Sequence, residues 1–569
     1  MINSAILLIT TAAVFILGYR YYAKFLAAAI FRLDNNYSPP PTGAGPPPIA
    51  VNRHLVFGHH LAMLAAGTTL TGAAIAVIWG WVPAFLWVVV ASASAAGTYG
   101  LGGLWLGFRQ RGTSPAGLAG LWLGPGARAA VLVVTFVVLL LLTALLARLA
   151  AQLLDLYPHV VLAFWAQIAI VLALGRVSAR GQNVEIAVSA VLAPLLALVG
   201  LWLFKKLPFA LGGALTLDLG GATLLAFDNI ALWVVLVLTL GFASARLPLA
   251  RLARPYGVLT AVQLAIALVI VFAAILWVHP PMAAPQFAAP QDTPDVLPWV
   301  FITLISGAIA GFHLLIAQGI SARQLRTETD ARYIGYGGAL GEGLVAVAVV
   351  IACAAGFGGY DEWSRAYAGW DGLQNLSQVT AFVVERWVYL AKGLGIDADA
   401  ARAFFALLVL NLSVTTLEAG IRLQRNLLRE LSETYRSERL ARGQRPLLLA
   451  VGLAVAVALY DPSGGRAPSP DNGFWPLFGL ANHMLAVLGF MLAAMLLARL
   501  RRPRALVIAP MLVVLALSLW ALVLQIALWR SQQRWGMIAV SVIVALAALW
   551  ALAQGLLGMR QTVHNTPET

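Results

Sequence analysis

The fold is decided by stretches such as residues 129–154, AAVLVVTFVVLLLLTALLARLAAQLL, in which Arg148 is the only charged residue. A helix of about 20 apolar residues crosses a hydrocarbon layer about 30 Å thick, and this run is long enough to do so. Similar runs recur along the whole chain. Hydrophobic residues make up 61% of the 569 residues and charged residues only 11%, whereas a soluble domain carries about 25% charged residues. The sequence therefore predicts an all-α, polytopic integral membrane protein embedded in the lipid bilayer.

The apolar runs predict about fifteen transmembrane helices in a single transmembrane domain covering residues 1–569. The expected spans lie at 3–30, 55–79, 82–108, 129–154, 159–175, 184–204, 229–245, 257–278, 298–320, 335–358, 401–424, 446–460, 475–498, 505–529 and 535–558. The loops between these spans are short, so we expect no soluble domain.

The net charge of +14 is concentrated in every second loop. Arg109 and Arg111 follow the third span, and a basic cluster from Arg422 to Arg445 follows the eleventh, whereas the intervening loops are poorer in arginine. Because loops rich in lysine and arginine stay in the cytoplasm, this alternation predicts an outside N-terminus and a cytoplasmic C-terminus. The same arrangement explains the positive charge without nucleic-acid binding.

Several signatures of enzymes and cofactor sites are missing from the sequence. It contains no Walker A loop, HExxH, CxxC, CxxCH or GxSxG motif, and Cys353 is the only cysteine. ATP-driven pumping by this chain is thus not expected. His59, His60 and His313 could serve a haem or copper site, but nothing in their spacing demands a metal. We expect neither a cofactor nor a metal, and no enzymatic activity.

The second span contains an interruption of its apolar pattern. Phe57-Gly58-His59-His60 is followed by a Gly/Thr-rich stretch that includes Gly67, Thr68 and Thr69. Glycine weakens a helix, and unwound backbone at membrane depth is tolerated only where it faces protein or a cavity. Such breaks expose backbone groups that bind substrate and ions in transporters. The alternative interpretation is close helix packing through small residues.

The ninth span contains a similar interruption, Ser306-Gly307-Ala308-Ile309-Ala310-Gly311-Phe312-His313. The alternation of loops makes the second and ninth spans run in opposite directions. Two broken helices of opposite direction are typical of a transporter with an inverted repeat. Ser306, Gly307, Gly311 and His313 are therefore candidates for the second half of a substrate or ion site. A lone histidine here would more often be a satisfied core residue.

Further polar residues at membrane depth are candidates with a structural alternative for each. Glu342 near the start of the tenth span is either a functional buried carboxylate or a solvated interfacial one. Thr415, Thr416 and Glu418 form a polar patch in the eleventh span, where Glu418 and Arg422 have the spacing of a helical ion pair. The other candidates are Asn482, which could equally serve helix packing, and the possible gate residues Glu328, Asp330 and Arg332 in a polar cytoplasmic turn.

Several segments, in the same order along the chain, resemble the carbon starvation (CstA) family of bacterial membrane transporters. The resemblance runs from about residue 18 to about residue 498, which makes the spans at 505–558 additional. The segments that carry it are Gly18-Tyr19-Arg20-Tyr21-Tyr22-Ala23-Lys24-Phe25-Leu26, Phe57-Gly58-His59-His60, Gly307-Ala308-Ile309 with Gly311-Phe312-His313, Glu328-Thr329-Asp330-Ala331-Arg332-Tyr333-Ile334-Gly335-Tyr336-Gly337, Thr415-Thr416-Leu417-Glu418-Ala419-Gly420 and Trp475-Pro476-Leu477-Phe478-Gly479-Leu480-Ala481-Asn482-His483.

This resemblance implies uptake of small organic nutrients, with peptides and pyruvate as candidate substrates, during carbon starvation. It also implies a leucine-transporter-like inverted repeat and a location in the bacterial cytoplasmic (inner) membrane. A proton or sodium is the candidate coupling ion. The alternatives are a non-transporting accessory subunit of a respiratory or other complex and, third, a redox enzyme. The sequence does not set the oligomeric state.

Two departures from the family pattern bear on the mechanism. The family usually has Gly-Ala-Gly-Pro where this chain has Gly67-Thr68-Thr69-Leu70, and a His-Asp pair where it has Tyr99-Gly100. An intramembrane acid is therefore missing, and any proton coupling must use other groups. Since histidine titrates near physiological pH, we expect His60 or His313 to matter more than Glu342. The chain is either a divergent member with another substrate or one kept for a non-transport role.

Overall fold

A computed structural model describes residues 3–39, 50–177, 215–219, 222–290, 293–370, 376–437, 442–460 and 474–564, together with Leu373 and short helical pieces between 188 and 203. The elements of the described residues are α1 Ser4–Ile30, α2 Arg53–Leu64, α3 Gly67–Trp79, α4 Trp81–Arg109, α5 Pro115–Leu123, α6 Pro125–Leu156, α7 Pro158–Gly175, β1 Leu215–Leu219, β2 Ala222–Phe227, α8 Asn229–Arg246, α9 Ala253–Val278, α10 Val296–Ala308, α11 Gly311–Ile316, α12 Arg332–Ala355, α13 Tyr360–Ala366, α14 Leu376–Lys392, α15 Ala398–Thr434, α16 Arg445–Leu459, α17 Phe474–Arg499, α18 Ala505–Ser531 and α19 Trp535–His564.

Among these described elements, eleven helices are long and apolar enough to cross a membrane, and the pair α2–α3 makes twelve if it counts as one span. The predicted all-α membrane fold is confirmed, but the predicted number of about fifteen spans is not. The expected span at 298–320 is divided between α10 and α11, and α16 is an apolar helix of only 15 residues. The expected span at 184–204 falls largely outside the described residues.

The centre of the protein is built on two unusually long helices. α6 has 32 residues and α15 has 37, and they pack against each other. The start of α6 is fixed by Gly124, whose φ of +95° suits glycine, followed by Pro125 at the first helical position. The most apolar windows of α15 and α17 are completely buried, whereas those of α18 and α19 are only 33% buried. The last two helices therefore lie at the periphery of the bundle.

A similar order of helices occurs twice along the chain, apart from α5 in the first half and α13 and α14 in the second. A broken helix (α2–α3) is followed by α4, which contains a π-helical turn at Ser92–Ala96, and then by the long α6. A second broken helix (α10–α11) is followed by α12, which begins with a π-helical turn at Arg332–Tyr336, and then by the long α15. This repeated order agrees with the two-part architecture expected from the sequence.

Helices α4 and α12 touch through backbone alone at one point. A Cβ added to Gly100 would lie 2.4 Å from the carbonyl oxygen of Gly335, and one added to Gly335 would lie 2.4 Å from that of Gly100. No side chain fits between the helices at this distance, so both positions require glycine. We call this contact the Gly100–Gly335 crossing.

A short antiparallel hairpin of β1 and β2 precedes α8, and the sequence analysis did not predict it. Leu215 pairs with Phe227 and Leu219 with Ala222, with an irregularity in register between Leu217 and Asp218. The hairpin is small and leaves the all-α class unchanged.

Candidate functional site

The first broken helix changes direction at Ala65 and Ala66. Ala65 has ψ of 47° and Ala66 has ψ of 176°, so the backbone leaves the helical region between α2 and α3, which are bent by 52°. Gly67 follows at once, and a Cβ there would lie 2.6 Å from Leu149 of α6 and 3.4 Å from the hydroxyl of Ser413 in α15. The break thus lies where the two long helices meet, one residue before the predicted glycine.

The second broken helix is interrupted at Ile309 and Ala310, between α10 and α11. Gly311 begins α11 against α17, because a Cβ there would lie 2.3 Å from the Cβ of Leu485. The backbone N–H of Phe312 donates a hydrogen bond of 2.9 Å to Oδ1 of Asn482. Asn482 therefore satisfies one of the N–H groups that a helix start leaves without a partner.

Ser306 and Gly307 belong to the end of α10, and the surroundings of these two candidates lie outside the described residues. Thr68 is buried in the first turn of α3.

Glu342 of α12 joins the two broken helices. Its side chain is buried, and the residue is only 1% exposed. Thr69 of α3 donates a hydrogen bond of 2.7 Å to Oε1, and Nδ1 of His313 in α11 lies 3.7 Å from Oε2. Within the described part of the chain, no group donates a hydrogen bond to Oε2. A carboxylate buried at membrane depth with one oxygen unsatisfied is costly, which is typical of a functional group.

Two small cavities border Glu342, one on each side. Each offers about 10 Å³ to the centre of a water-sized sphere, enough for about one water molecule. The first is lined by residues that include His60, Tyr99, Gly100, His313 and Gly335, and the second by residues that include Thr69, Trp87, Ser92 and Leu304. The structure therefore encloses the carboxylate in a nearly closed state.

Tyr99 and Ser92 are cavity residues that the sequence analysis did not select. Their hydroxyl oxygens are buried and have no hydrogen-bond partner among the described residues. Both lie on α4, which carries the departure at Tyr99-Gly100. The sequence feature that could have identified them is this departure from the family pattern. Polar residues on the helix that lacks the acid are candidates to replace part of its role.

The two adjacent histidines of α2 have different surroundings. His60 lines a Glu342 cavity, and its Nδ1 lies 2.8 Å from the hydroxyl of Ser321, which follows α11. His59 instead packs against α9, where a Cβ on Gly257 would lie 2.3 Å from its ring. Only His60 therefore belongs to the Glu342 site. In the described ranges, no three His, Cys, Asp or Glu side chains are grouped as metal ligands.

The polar patch of α15 divides into two parts. Thr416 donates to the carbonyl of Met63, 3.1 Å away, and so satisfies a backbone group at the end of α2. Thr415 donates to the carbonyl of Asn411 in its own helix. Glu418 accepts from Nε of Arg422 and, at 3.0 Å, from the hydroxyl of Ser244. Thr416 thus supports the first break, whereas Glu418 belongs to a separate ion pair.

Arg422 is held by further groups of the neighbouring helix α8. Its guanidinium donates to the carbonyls of Ser244 and Leu247, the latter at 2.9 Å. The Glu418–Arg422 pair is buried, with each side chain 9% exposed. Its partners bind α15 to α8, as a structural ion pair would.

The three gate candidates connect helix ends and do not line the Glu342 cavities. Glu328 accepts hydrogen bonds from Arg109 at 2.5 and 3.1 Å and from the backbone of Asp34 at 2.7 Å. Asp330 accepts from the nearby backbone of Thr327. The guanidinium of Arg332 donates to the carbonyl of Tyr19 and lies 4.7 Å from the centre of its ring. These contacts tie the start of α12 to α1 and α4.

Comparison with known proteins adds a second kind of observation. The family model described as carbon starvation protein CstA matches residues 3–365 and 365–521. A peptide transporter CstA of Campylobacter jejuni is 26% identical, covering 88% of this chain and 77% of that protein. The pyruvate/proton symporter BtsT of Escherichia coli is 25% identical, covering 92% and 82%. A peptide transporter CstA of the same organism is 26% identical, covering 88% and 78%.

Proposed function

Because the chain belongs to the carbon starvation protein CstA family, we propose that it is a secondary transporter for uptake of small organic nutrients in the response to carbon starvation. Its substrates are peptides or pyruvate-like carboxylates, the classes named for its relatives. It lies in the bacterial cytoplasmic membrane. The proposal is carried by one observation: Glu342 is buried between two broken helices and contacts a side chain from each.

The geometry suggests how a relative movement of the two halves affects Glu342. Broken helices let half-helices move around a fixed site, so one bundle rocks against the other during transport. Thr69 and His313 lie on opposite broken helices, and Glu342 lies near both of them. A movement of either half therefore changes the surroundings of the carboxylate. This couples the protonation of Glu342 to the conformation of the protein.

We propose a proton as the coupling ion and Glu342 as the group that carries it. A relative is named a pyruvate/proton symporter, and the acid that the family usually has at the position of Gly100 is missing here. Glu342 shares a cavity with Gly100, so it is placed to take over that role. The sequence analysis expected the histidines to matter more, and the open Oε2 atom is our reason for proposing the reverse order.

Uptake into proteoliposomes tests this function. Purified protein is reconstituted, and initial uptake of pyruvate, other small carboxylates, and di- and tripeptides is measured with an imposed pH gradient or an imposed sodium gradient. We expect uptake that depends on the pH gradient. A sodium requirement without pH dependence would replace the proton, and stable co-purification with a large complex without uptake would favour the accessory-subunit alternative.

We also propose that the N-terminus lies outside and the C-terminus in the cytoplasm, because the basic loops alternate along the chain. A topology reporter fused after Arg439 should report the cytoplasm, and one near Asp471 the periplasm. The opposite result at both positions would invert the orientation.

A further inference from the structure

A larger cavity lies apart from the two beside Glu342, at the end of the bundle where residues 112–117 approach α15. It offers about 390 Å³ to the centre of a water-sized sphere, against about 10 Å³ beside Glu342. Ligand pockets have volumes of about 300–1,000 Å³, so a small organic molecule fits here. The cavity is lined by Arg323 and Arg429, which belong to the arginine-rich segments that follow the ninth and eleventh expected spans. In the proposed orientation these segments are cytoplasmic, so the cavity lies on the cytoplasmic side. We call it the vestibule.

Charged side chains of both signs line the vestibule. The basic ones are Arg128, Arg323 and Arg429, and the acidic ones are Glu430 and Glu433. Arg128 lies 3.3 Å from Glu430. The hydroxyl of Ser114 donates to the same carboxylate at 2.7 Å. The wall therefore offers donors for an anionic group and carboxylates for a cationic one.

Buried polar groups of the vestibule lack partners. The Oγ1 atom of Thr135 is buried in a residue only 4% exposed, and no described residue bonds to it. The Nε atoms of Arg128 and Arg323 are buried and equally unsatisfied among the described residues. Arg323 uses another nitrogen to donate to the carbonyl of Gly112 at 2.8 Å, which holds its guanidinium in place. Donors left without acceptors next to a cavity of this size are consistent with a polar occupant, either a ligand or water.

A thin wall separates the vestibule from the Glu342 cavity. His313, Leu314 and Ala317 line the Glu342 cavity, whereas Leu315 and Gly319 line the vestibule. All five belong to α11 and the π-helical turn that follows it, Ala317–Ser321. The break at the start of α11 is therefore suited to act as a hinge, and a displacement of this segment would join the two spaces.

We propose that the vestibule is a second ligand site, which binds a small zwitterion with a carboxylate at one end and an ammonium group at the other. The carboxylate contacts the arginines and Thr135, and the ammonium group contacts Glu430 and Glu433. A short peptide with free termini has this chemistry, whereas pyruvate supplies only the anionic end. A role of this site in releasing substrate to the cytoplasm rests on the proposed function. The binding itself does not, since it needs only the lining described above.

Equilibrium binding to the full-length protein in phosphatidylcholine nanodiscs tests the proposal. The probes are trialanine, its N-acetylated form, its C-amidated form and pyruvate. We expect trialanine to bind most tightly and each blocked form to bind about tenfold more weakly, the factor for losing one charge-assisted hydrogen bond. Equal affinity for all four probes, or no binding of any, would overturn the zwitterion site.

Matched variants locate the binding. Arg429→Gln and Glu433→Gln should each weaken trialanine binding about tenfold, and Thr135→Val is a third, nearly isosteric variant should either of these misfold. The control is Arg436→Gln, an exposed arginine just beyond the end of α15 that does not line the vestibule. Unchanged affinity in the vestibule variants, or an equal loss in Arg436→Gln, would place binding elsewhere.

Two further outcomes separate the proposals from each other. If trialanine binds as described but is not transported into proteoliposomes, the zwitterion site stands and the transport function fails. If uptake occurs without vestibule binding, the transport function stands and the zwitterion site fails. Addition of phosphatidylethanolamine, whose headgroup is also a zwitterion, should leave the affinity for trialanine unchanged. Displacement of the peptide by this lipid would overturn the assignment to a soluble ligand.

Discussion

Glu342 and Glu418 are both carboxylates buried in transmembrane helices, but their partners differ. Glu418 has a guanidinium and a hydroxyl, and its partner Arg422 is bound in turn to carbonyls of α8. Glu342 has one hydroxyl, a histidine nitrogen 3.7 Å away and an oxygen to which no described residue donates. Glu418 lies in a continuous helix pair, whereas Glu342 lies between two broken helices.

This difference shows that the density of polar residues at membrane depth does not by itself indicate function. A buried charge that is fully paired stabilises one arrangement of helices and resists its change. A buried charge that is partly unsatisfied can take up a proton or a ligand and so respond to conformation. The pairing of each carboxylate, and not its burial, separates the proposed transport site around Glu342 from the Glu418–Arg422 ion pair.

The largest expected effect is that of Glu342→Gln. This change removes the titrating group and keeps the shape, so initial uptake should fall on the order of a hundredfold, the factor for losing about 2–3 kcal/mol. The remaining uptake should no longer depend on pH. The measurement is uptake into proteoliposomes, normalised to folded protein. Near-normal, pH-dependent uptake by this variant would show that Glu342 does not carry the coupling proton.

Glu418→Gln is the matched change at the other carboxylate. It leaves the buried Arg422 without its counter-charge and should lower the free energy of unfolding by about 3 kcal/mol. Thermal denaturation in detergent measures the loss. Uptake per folded molecule should stay at the wild-type level, and a specific loss of uptake at normal stability would assign Glu418 to the transport site.

Gly67→Ala and Gly420→Ala compare the two regions through added volume. A Cβ would lie 2.6 Å from Leu149 at the first position and 2.8 Å from Thr143 at the second, so both variants are overpacked to a similar degree. Only Gly67→Ala should reduce uptake, by about tenfold, because a shift of about 1 Å at a functional site can cost up to about a hundredfold. Equal losses in uptake from both would show that packing alone explains the break.

The smallest effects are expected from the histidines. His313→Asn removes the nitrogen beside Oε2 and should move the pH midpoint of uptake by up to about one unit, equivalent to about 1.4 kcal/mol. His60→Asn should move it less, because His60 reaches the site through the cavity and is bonded to Ser321. Uptake rate against external pH, with and without a membrane potential, measures both. An unchanged profile for both variants would exclude histidine from the mechanism.

The hydrophobic pattern predicted the membrane fold and the long spans because apolar length is a local property of the sequence. The number of about fifteen spans is not confirmed: among the described residues, eleven or twelve helices are long and apolar enough to cross a membrane. The run at 298–320 is divided between α10 and α11, and α16 has only 15 residues. The Gly/Thr and Ser/Gly interruptions identified both broken helices, since small and polar residues weaken a helix locally.

The partners of Glu342 could not be predicted from the sequence. Thr69 is 273 residues away along the chain, and no periodicity relates the two positions. The same holds for Tyr99 and Ser92, whose orientation toward the cavities depends on how α4 packs against α12. Whether Glu342 is more important than the histidines stays a prediction that the variants above decide.

The Gly100–Gly335 crossing also constrains how this lineage can change. The resemblance to the CstA family implies an aspartate where this chain has Gly100, but here any side chain at that position would meet the opposite backbone at 2.4 Å. A single mutation to aspartate therefore cannot place an acid there unless α4 and α12 first move apart. Gly335 is subject to the same limit from the other side. Each glycine thus restricts what the other can become, and a side chain at either position would require a different packing of α4 against α12.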